Sequence, residues 1–255
     1  LGTESPEGRE AWKTLLTDIY VDRSVPGHSP ILNLPPSFGR SSSYHSSVRF
    51  SYHNNQLEDV IRRLLSSPVL TSSAEFDIVN LTRQWMSNLF EEEFSLYKDA
   101  YAAGDRNAMD SISDRMMGMF DDLDLLLSTQ QYFLVGKWIS DARSWGKDEA
   151  EADYFETDAR NLITSWGDRG NLLTDYADRT LAGLVSTYYK GRWEMFFDVV
   201  DKAMDEGRKF SSEDEAALEE SLKDFEEQWW KERPGEFISE PEGDPLEAVV
   251  SMLDY

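Results

Sequence analysis

The sequence contains no cysteine, which excludes disulfide bonds, thiolate nucleophiles and cysteine-ligated metal centres. Histidine is almost as scarce, with only His28, His45 and His53 in the chain. No phosphate-binding glycine loop or nucleophile-elbow motif occurs either. We therefore expect no metal site and no cofactor. No apolar run approaches the ~20 residues that a helix needs to cross a bilayer, so a membrane-spanning protein is not expected.

Positive charge is also in short supply. Lys and Arg number 25 against 49 Asp and Glu, which gives a net charge of −24. Such a surface repels nucleic-acid phosphates and anionic lipids, so neither nucleic acid nor a membrane is expected as a partner. The acidity is typical of a solvated surface and suits a secreted, extracellular or lumenal protein. Because the chain begins with Leu1, we expect a processed form or a piece of a longer protein.

The chain is rich in apolar residues at helical spacing. Apolar residues make up 40% of the sequence and aromatic residues 13%, which indicates a globular protein. A first amphipathic helix is predicted just after Ser5, where a cap is followed by proline. The apolar stripe of this helix consists of Ala11, Trp12, Leu15, Leu16 and Ile19.

A long loop is predicted next, over residues 21–53. Four prolines, two glycines and a run of serines between Val21 and Ser51 cannot sustain a helix. A loop of ~30 residues is unusual inside a compact domain and is more often functional, or covered by a partner, than idle. Tyr52 and His53 stand at its exit, immediately before the next predicted helix.

From Asn54 onward the chain is predicted to be helical almost throughout. Apolar stripes alternate with glycine and proline breaks, and one predicted helix runs from Tyr176 to Gly191. No strand-type alternation of useful length occurs. The prediction is an all-α fold: a single domain of roughly nine or ten helices over residues 1–233, then a linker and a short terminal helix over residues 234–255.

Clustered carboxylates and tryptophans are candidates for chemistry, but both are predicted to be structural. The acids in Glu91–Glu93, Asp121–Asp124 and Glu213–Glu220 belong to ordinary amphipathic patterns with solvated faces. The apolar helix faces also carry tryptophans, which are expected in the core. These are Trp12, Trp85, Trp138, Trp166, Trp193 and Trp229.

Several blocks of the chain, taken in order, resemble one family. Residues 76–84 read FDIVNLTRQ, residues 133–139 read FLVGKWI, and residues 159–167 read ARNLITSWG. Residues 175–193 contain DYADR, GL, YY and RW in succession. These blocks resemble the C-terminal region of α-N-acetylglucosaminidases, glycoside hydrolase family 89, over roughly Ala11 to Phe210. Asn80 departs from the family, which tends to have Asp there.

The resemblance implies that residues 1–233 form a helical domain that packs against a catalytic (β/α)₈ barrel domain of the same enzyme. In that family two glutamates of the barrel cleave terminal α-linked N-acetylglucosamine with retention, which requires carboxyl groups about 5 Å apart. Those glutamates lie on segments that precede the matched region. The resemblance therefore implies no catalytic residue in this chain and no activity of the chain alone.

Tyr52 and His53 are the candidate substrate-binding residues. In the family the loop before this helix brings an aromatic pair close to the sugar, and these two residues stand at that place. An aromatic face can cover the apolar side of a pyranose while a polar tip fixes a hydroxyl. The alternative is that they only staple the loop to the helix. Arg83, Arg160 and Arg192 lie in matched blocks and are expected to form buried ion pairs or helix-end contacts with local acids.

Three functions remain open on the sequence alone. The first is a domain of a retaining α-N-acetylglucosaminidase that packs on the barrel and helps to line the cleft for a glycan ending in α-linked N-acetylglucosamine. Its surface should be apolar where the catalytic domain sits. The alternative is a free-standing helical module that binds carbohydrate or protein through the loop, Tyr52 and His53. An independent acid/base enzyme would need a pocket glutamate with a strongly raised pKa.

Overall fold

The structure is a computed structural model that describes residues 5–20, 30–39, 52–68 and 70–255. Within these ranges the all-α prediction is confirmed, and the one strand-like contact is a single bridge between Leu134 and Ala182. No helix of the described ranges combines the length and apolar character needed to cross a bilayer. The α-helices in these ranges are α1 Pro6–Thr14, α2 Asn54–Leu65, α3 Ser72–Ala103, α4 Arg106–Ser128, α5 Val135–Arg143, α6 Glu149–Leu162, α7 Lys190–Asp205, α8 Ser212–Lys231 and α9 Pro245–Met252.

Helix starts follow capping residues that the sequence supplies. The Ser5 hydroxyl accepts a hydrogen bond from the backbone N–H of Gly8 at 2.9 Å, where α1 begins. Helix α3 begins at Ser72. Thr71 is the cap, and its hydroxyl accepts from the N–H of Ala74 at 3.3 Å. Two π-helical turns, Leu15–Ile19 and Val185–Tyr189, extend α1 and precede α7.

The core is an aromatic cluster between α3 and α7. Phe90 and Phe94 each meet the ring of Trp193 edge-on, with ring centroids 4.9 Å apart. Trp193 is fully buried, and its indole N–H donates to the carbonyl of Leu32 at 3.2 Å. This hydrogen bond joins the N-terminal part of the chain to α7.

The described middle of the predicted loop, residues 30–39, lies in the core. Leu32 and Asn33 are 2% and 0% exposed, and Phe38 stacks on Tyr101 with centroids 4.5 Å apart. Residues 21–29 and 40–51 of the predicted loop lie outside the described residues, whereas Tyr52 and His53 at its end are described. The loop is therefore anchored in its middle by residues that the helices enclose.

The segment between α8 and α9 crosses the start of α5. A Cβ atom on Gly136 would lie 2.1 Å from the carbonyl oxygen of Ile238, so only glycine permits this crossing. Phe237 packs beside Gly183 at the same place, and α9 packs against α3 and α4. The division of the chain into a domain and a terminal extension at residue 233 stays a prediction.

The predicted helix from Tyr176 to Gly191 is wrong over its first half. Residues 163–183 form turns and irregular backbone with the bridge at Ala182, and helical structure resumes only beside the π-helical turn that begins at Val185. Asp175 and Asp178 have φ of 63° and 47°, and left-handed residues cannot continue a right-handed helix. The carboxylate of Asp124 on α4 accepts the N–H of Gly183 at 2.6 Å and fixes the end of this segment.

Candidate functional site

An open cleft of about 550 Å³ lies between α5, the turn before it and residues 162–181. Most of its lining is apolar, and its aromatic members are Tyr132, Trp138 and Trp166. A cleft of this size, largely apolar with a few polar groups, is typical of small-ligand sites. It is the best candidate for a functional site in the part of the chain that the structure describes.

Trp138 was expected in the core, and this expectation is wrong. It is 43% exposed in the wall of the cleft, whereas Val135 and Ile139 on the same helix are buried. Its indole N–H donates to the carbonyl of Ala159 on α6 at 2.9 Å. That bond holds the ring in place and leaves much of its surface open to the cleft.

Trp166 was also expected in the core, but it is 39% exposed and lines the same cleft. Helix α6 ends at Leu162, and Trp166 takes a left-handed conformation with φ of 52°. The backbone N–H of Trp166 donates to the backbone carbonyl of Asn161 at 2.8 Å. Tyr176 meets it edge-on with centroids 5.3 Å apart. The signal that could have shown this was the pair Gly167 and Gly170, because two glycines so close after Trp166 indicate turns rather than a continued helix face.

The polar groups of the cleft are few. Lys137 binds both carboxylate oxygens of Asp141, at 2.5 and 2.6 Å, so these charges compensate each other. Arg179 is exposed at the edge, and its guanidinium forms no ion pair or hydrogen bond with any residue in the described ranges. The cleft therefore offers apolar rings together with hydrogen-bond donors at its rim.

A buried polar cluster lies behind the cleft. The Arg192 guanidinium binds the carboxylates of Asp175 and Glu226 at 2.8 Å each, as the sequence predicted for this arginine. It also donates to the backbone carbonyl of Asn33 at 2.6 Å. Burial alone would lower the pKa of Arg192, but Asp175 and the groups around it raise it above its ordinary value.

The other two arginines differ from each other. Arg160 is 1% exposed and binds Glu156 at 2.8 Å, which confirms the buried ion pair. Arg83 instead donates to the side-chain oxygen of Asn80 at 3.1 and 3.0 Å and has no acid within ion-pair distance in the described ranges. Burial lowers the pKa of Arg83, because the charged form is poorly solvated there.

Tyr52 and His53 lie at the start of α2 and are not among the residues that line the cleft. The Tyr52 hydroxyl accepts a hydrogen bond from the Asn88 side-chain amide at 3.0 Å, and burial raises its pKa. The backbone N–H of His53 donates to Gln56 at 2.8 Å, which begins the helix. Their role in substrate binding stays a prediction.

The carboxylate clusters form no catalytic centre in the described ranges. No group of three His, Asp or Glu side chains there is placed to hold a metal ion. Glu93 is buried and pairs with Arg115 at 3.4 Å. Burial raises the pKa of Glu91 to about 7, yet Glu91 does not line the cleft. The hypothesis of an independent acid/base enzyme therefore gains no support from the cleft.

Exposed apolar side chains are concentrated in one stretch of the chain, and four of them line the cleft. Among described residues, 8 of the 13 large exposed hydrophobic side chains lie between residues 132 and 176, and we call these eight the aromatic surface. They are Tyr132, Trp138, Trp145, Tyr154, Leu162, Trp166, Leu172 and Tyr176. So many exposed rings and leucines in one stretch of chain are typical of a surface that meets a partner or a ligand.

Comparison with known protein families gives a match over almost the whole chain. The model described as "Alpha-N-acetylglucosaminidase (NAGLU) C-terminal domain" matches residues 1–254. Among curated proteins, human alpha-N-acetylglucosaminidase is 32% identical over 220 residues, which cover 82% of this chain and 28% of the human protein.

Solved structures show the same fold. A family 89 glycoside hydrolase from Clostridium perfringens, in complex with its substrate GlcNAc-alpha-1,4-galactose, superposes with a TM-score of 0.84 at 25% identity. A complex of a Clostridium perfringens family 89 glycoside hydrolase with PUGNAc gives a TM-score of 0.85 at 24% identity. Both comparisons cover 98% of this chain and 29% of the other. The chain thus spans less than a third of the length of these relatives.

Proposed function

Because the chain belongs to the family of α-N-acetylglucosaminidase C-terminal domains, we propose that it is the helical domain of a retaining α-N-acetylglucosaminidase. In this proposal it packs on the catalytic (β/α)₈ barrel and forms part of the wall of the substrate cleft. The substrate is a glycan that ends in α-linked N-acetylglucosamine. The two catalytic carboxyl groups belong to the barrel, and this chain contributes binding and shape.

The aromatic surface carries the packing part of the proposal. Trp145 and Tyr154 are 74% and 68% exposed, and both contact Phe155 edge-on. Covering a large apolar side chain contributes about 1.5–3 kcal/mol, so a few such rings can hold a domain in place. The relatives have more than two-thirds of their length outside the region matched here, which is ample for a catalytic domain.

The cleft carries the substrate part of the proposal. Trp138 and Trp166 present large ring surfaces, and a pyranose can place its apolar face against such a ring. Lys137 and Arg179 at the rim can donate hydrogen bonds to sugar hydroxyls. Tyr52 and His53 remain the candidates for a second contact from the loop side. Stacking and rim donors would orient the terminal sugar for attack by the nucleophilic glutamate of the barrel, while the other glutamate acts as acid and base.

The experiment that tests this role compares Trp166→Ala with Leu96→Ala in the longer gene product that carries this chain. With an aryl α-N-acetylglucosaminide, Trp166→Ala should lower kcat/KM about tenfold or more, because a stacking surface is lost. Leu96 is 53% exposed on α3 and belongs neither to the cleft nor to the aromatic surface, so Leu96→Ala should leave kcat/KM within about threefold of the unaltered protein. Equal effects of the two variants would argue against a sugar-facing cleft.

The chain by itself should not hydrolyse this substrate. Clear turnover by the isolated chain, abolished by a point mutation within it, would overturn the assignment of catalysis to the barrel. Reading the gene upstream of Leu1 gives an independent check. The proposal requires a barrel pattern there with two glutamates at strand ends.

We also infer a secreted or lumenal location for the enzyme. The net charge of −24 makes the molecules repel each other and keeps the protein dispersed in solution. The sequence contains no cysteine, so no thiol requires a reducing compartment. Fractionation of the source cells checks this inference. Recovery of the gene product mainly from cytosol would contradict it.

A further inference from the structure

We propose that Asn33 and Arg192 are positioning residues for the wall of the cleft. From the core side they hold residues 164–180 in the strained conformation that presents Trp166 and Tyr176. The link from this wall to sugar cleavage rests on the function proposed above. The link from Asn33 to the shape of the wall rests only on the contacts described below.

The wall is the most strained backbone in the described ranges. Four residues other than glycine have positive φ in the described ranges, and three of these lie in the wall: Trp166, Asp175 and Asp178, with φ of 52°, 63° and 47°. Left-handed backbone at such residues persists only where the surroundings enforce it. Something behind the wall must therefore hold it.

Arg192 holds the middle of the wall. Its guanidinium is 0% exposed and binds the 1% exposed Asp175 carboxylate at 2.8 Å. The backbone N–H of Asp175 donates to the carbonyl of Thr164 at 2.8 Å, and this bond joins the middle of the wall to its first residue. Tyr176 follows Asp175 directly and contacts Trp166, so the buried ion pair fixes the place from which this ring pair projects.

Asn33 holds the far end of the wall. Its side-chain amide donates to the Asp178 carboxylate and to the Thr180 hydroxyl, at 2.9 Å each. Its backbone carbonyl accepts from Arg192 at 2.6 Å. One fully buried residue of the N-terminal segment thus binds two residues of the wall and the arginine behind it.

The test inverts one hydrogen bond without changing side-chain size. Asn33→Asp replaces the amide donor by a carboxylate that faces Asp178, so the bond becomes a like-charge contact. Asp178→Asn in the same chain restores a donor across the contact and returns the net charge to that of the unaltered protein. Asn107→Asp adds the same charge at an exposed position on the first turn of α4 and serves as the matched control.

The first readout is the set of indole N–H resonances of the isolated chain in NMR spectra. Asn33→Asp should shift or broaden the Trp166 resonance, leave that of Trp145 in place and preserve the helical circular dichroism. The double variant should restore the Trp166 resonance, and the control should not move it. An unchanged Trp166 resonance in Asn33→Asp, or no recovery in the double variant, would overturn the positioning role.

The second readout is kcat/KM of the longer gene product for an aryl α-N-acetylglucosaminide. Asn33→Asp should lower it about tenfold or more, and the double variant should recover most of this loss. If the Trp166 resonance follows the pattern above while kcat/KM does not change, the wall is positioned as proposed but the sugar-facing function is wrong. If Asn33→Asp does not fold, Thr180→Val removes one of the two acceptors and is judged by the same resonance.

Discussion

Replacing Gly136 by alanine tests how closely the segment after α8 crosses α5. Gly136 is the second residue of α5, and a Cβ there would lie 2.1 Å from the carbonyl oxygen of Ile238 and 2.7 Å from that of Phe237. These atoms are backbone, so a side-chain rotation cannot make room for the methyl group. Either the crossing segment or the start of α5 must move.

Two opposing effects decide the sign of the change in stability. Alanine in a helix is favoured over glycine by at most about 1 kcal/mol. Forcing a methyl group into packed backbone costs about 1–3 kcal/mol or more. At Gly136 the second effect should prevail, and we expect a loss of about 1–2 kcal/mol in the free energy of unfolding.

Gly118→Ala provides the matched control. Gly118 lies inside α4, and the nearest atom to its Cβ would be the Tyr255 hydroxyl oxygen at 4.0 Å. Here the helix preference acts alone, so Gly118→Ala should raise the free energy of unfolding by about 0.5–1 kcal/mol. Urea unfolding followed by circular dichroism measures both variants. Shifts of the same sign in the two variants would refute the reasoning, because the substitution is identical and only the surroundings differ.

Three further changes test other parts of the structure. Glu91→Gln should stabilise the domain at pH 8 by about 1–2 kcal/mol, discounted for partial exposure. Burial raises the pKa of Glu91 in the folded state to about 7, so the unaltered protein loses stability as pH rises through 7 and the Glu91 carboxylate becomes charged. The stability gained by Glu91→Gln should therefore vanish below pH 4.5, where the carboxyl group is protonated in both the folded and the unfolded state; urea titrations at several pH values measure this. Arg160→Met should cost about 2–3 kcal/mol by the same method, since Glu156 keeps its contact with Arg143 at 2.7 Å. Thr71→Ala should lower stability by about 1 kcal/mol through loss of the α3 cap, and no change would argue against Thr71 as the cap.

Helices were predictable because their signals are local. The apolar spacing from Asn54 onward placed α2 at the residue where it begins, and Gly104 ends α3 with a φ of 72°. The prediction of a helix through Tyr176 was wrong because a series of turns can carry apolar residues at the same spacing. In those turns Asp175 and Asp178 take left-handed conformations that long-range contacts enforce.

The cleft was harder to predict for a physical reason. Apolar spacing shows that a side chain avoids water, but it does not show whether the chain's own core or another surface covers it. Trp193 and Trp138 both occupy apolar stripes, yet the first is 0% exposed and the second 43%. Asn33 gave no sequence signal at all, because its partners Asp178 and Thr180 lie far along the chain. The family resemblance supplied what spacing could not, since it relates the domain to an enzyme that extends beyond it.

The cluster around Arg192 also sets the order in which the domain can form. Its members come from residues 33, 175, 192 and 226, so Asn33 stays without these partners until the ribosome has made the start of α7, and Arg192 stays without Glu226 until α8 is made. Contacts between such distant residues form late, because loop closure must precede them. Helices α2 to α4 can pair while synthesis continues, but the wall of the cleft forms only later in translation. A ribosome stalled before α7 should therefore display a helical intermediate in which Arg192 does not yet hold Asp175 and Trp166 is not yet in its final position.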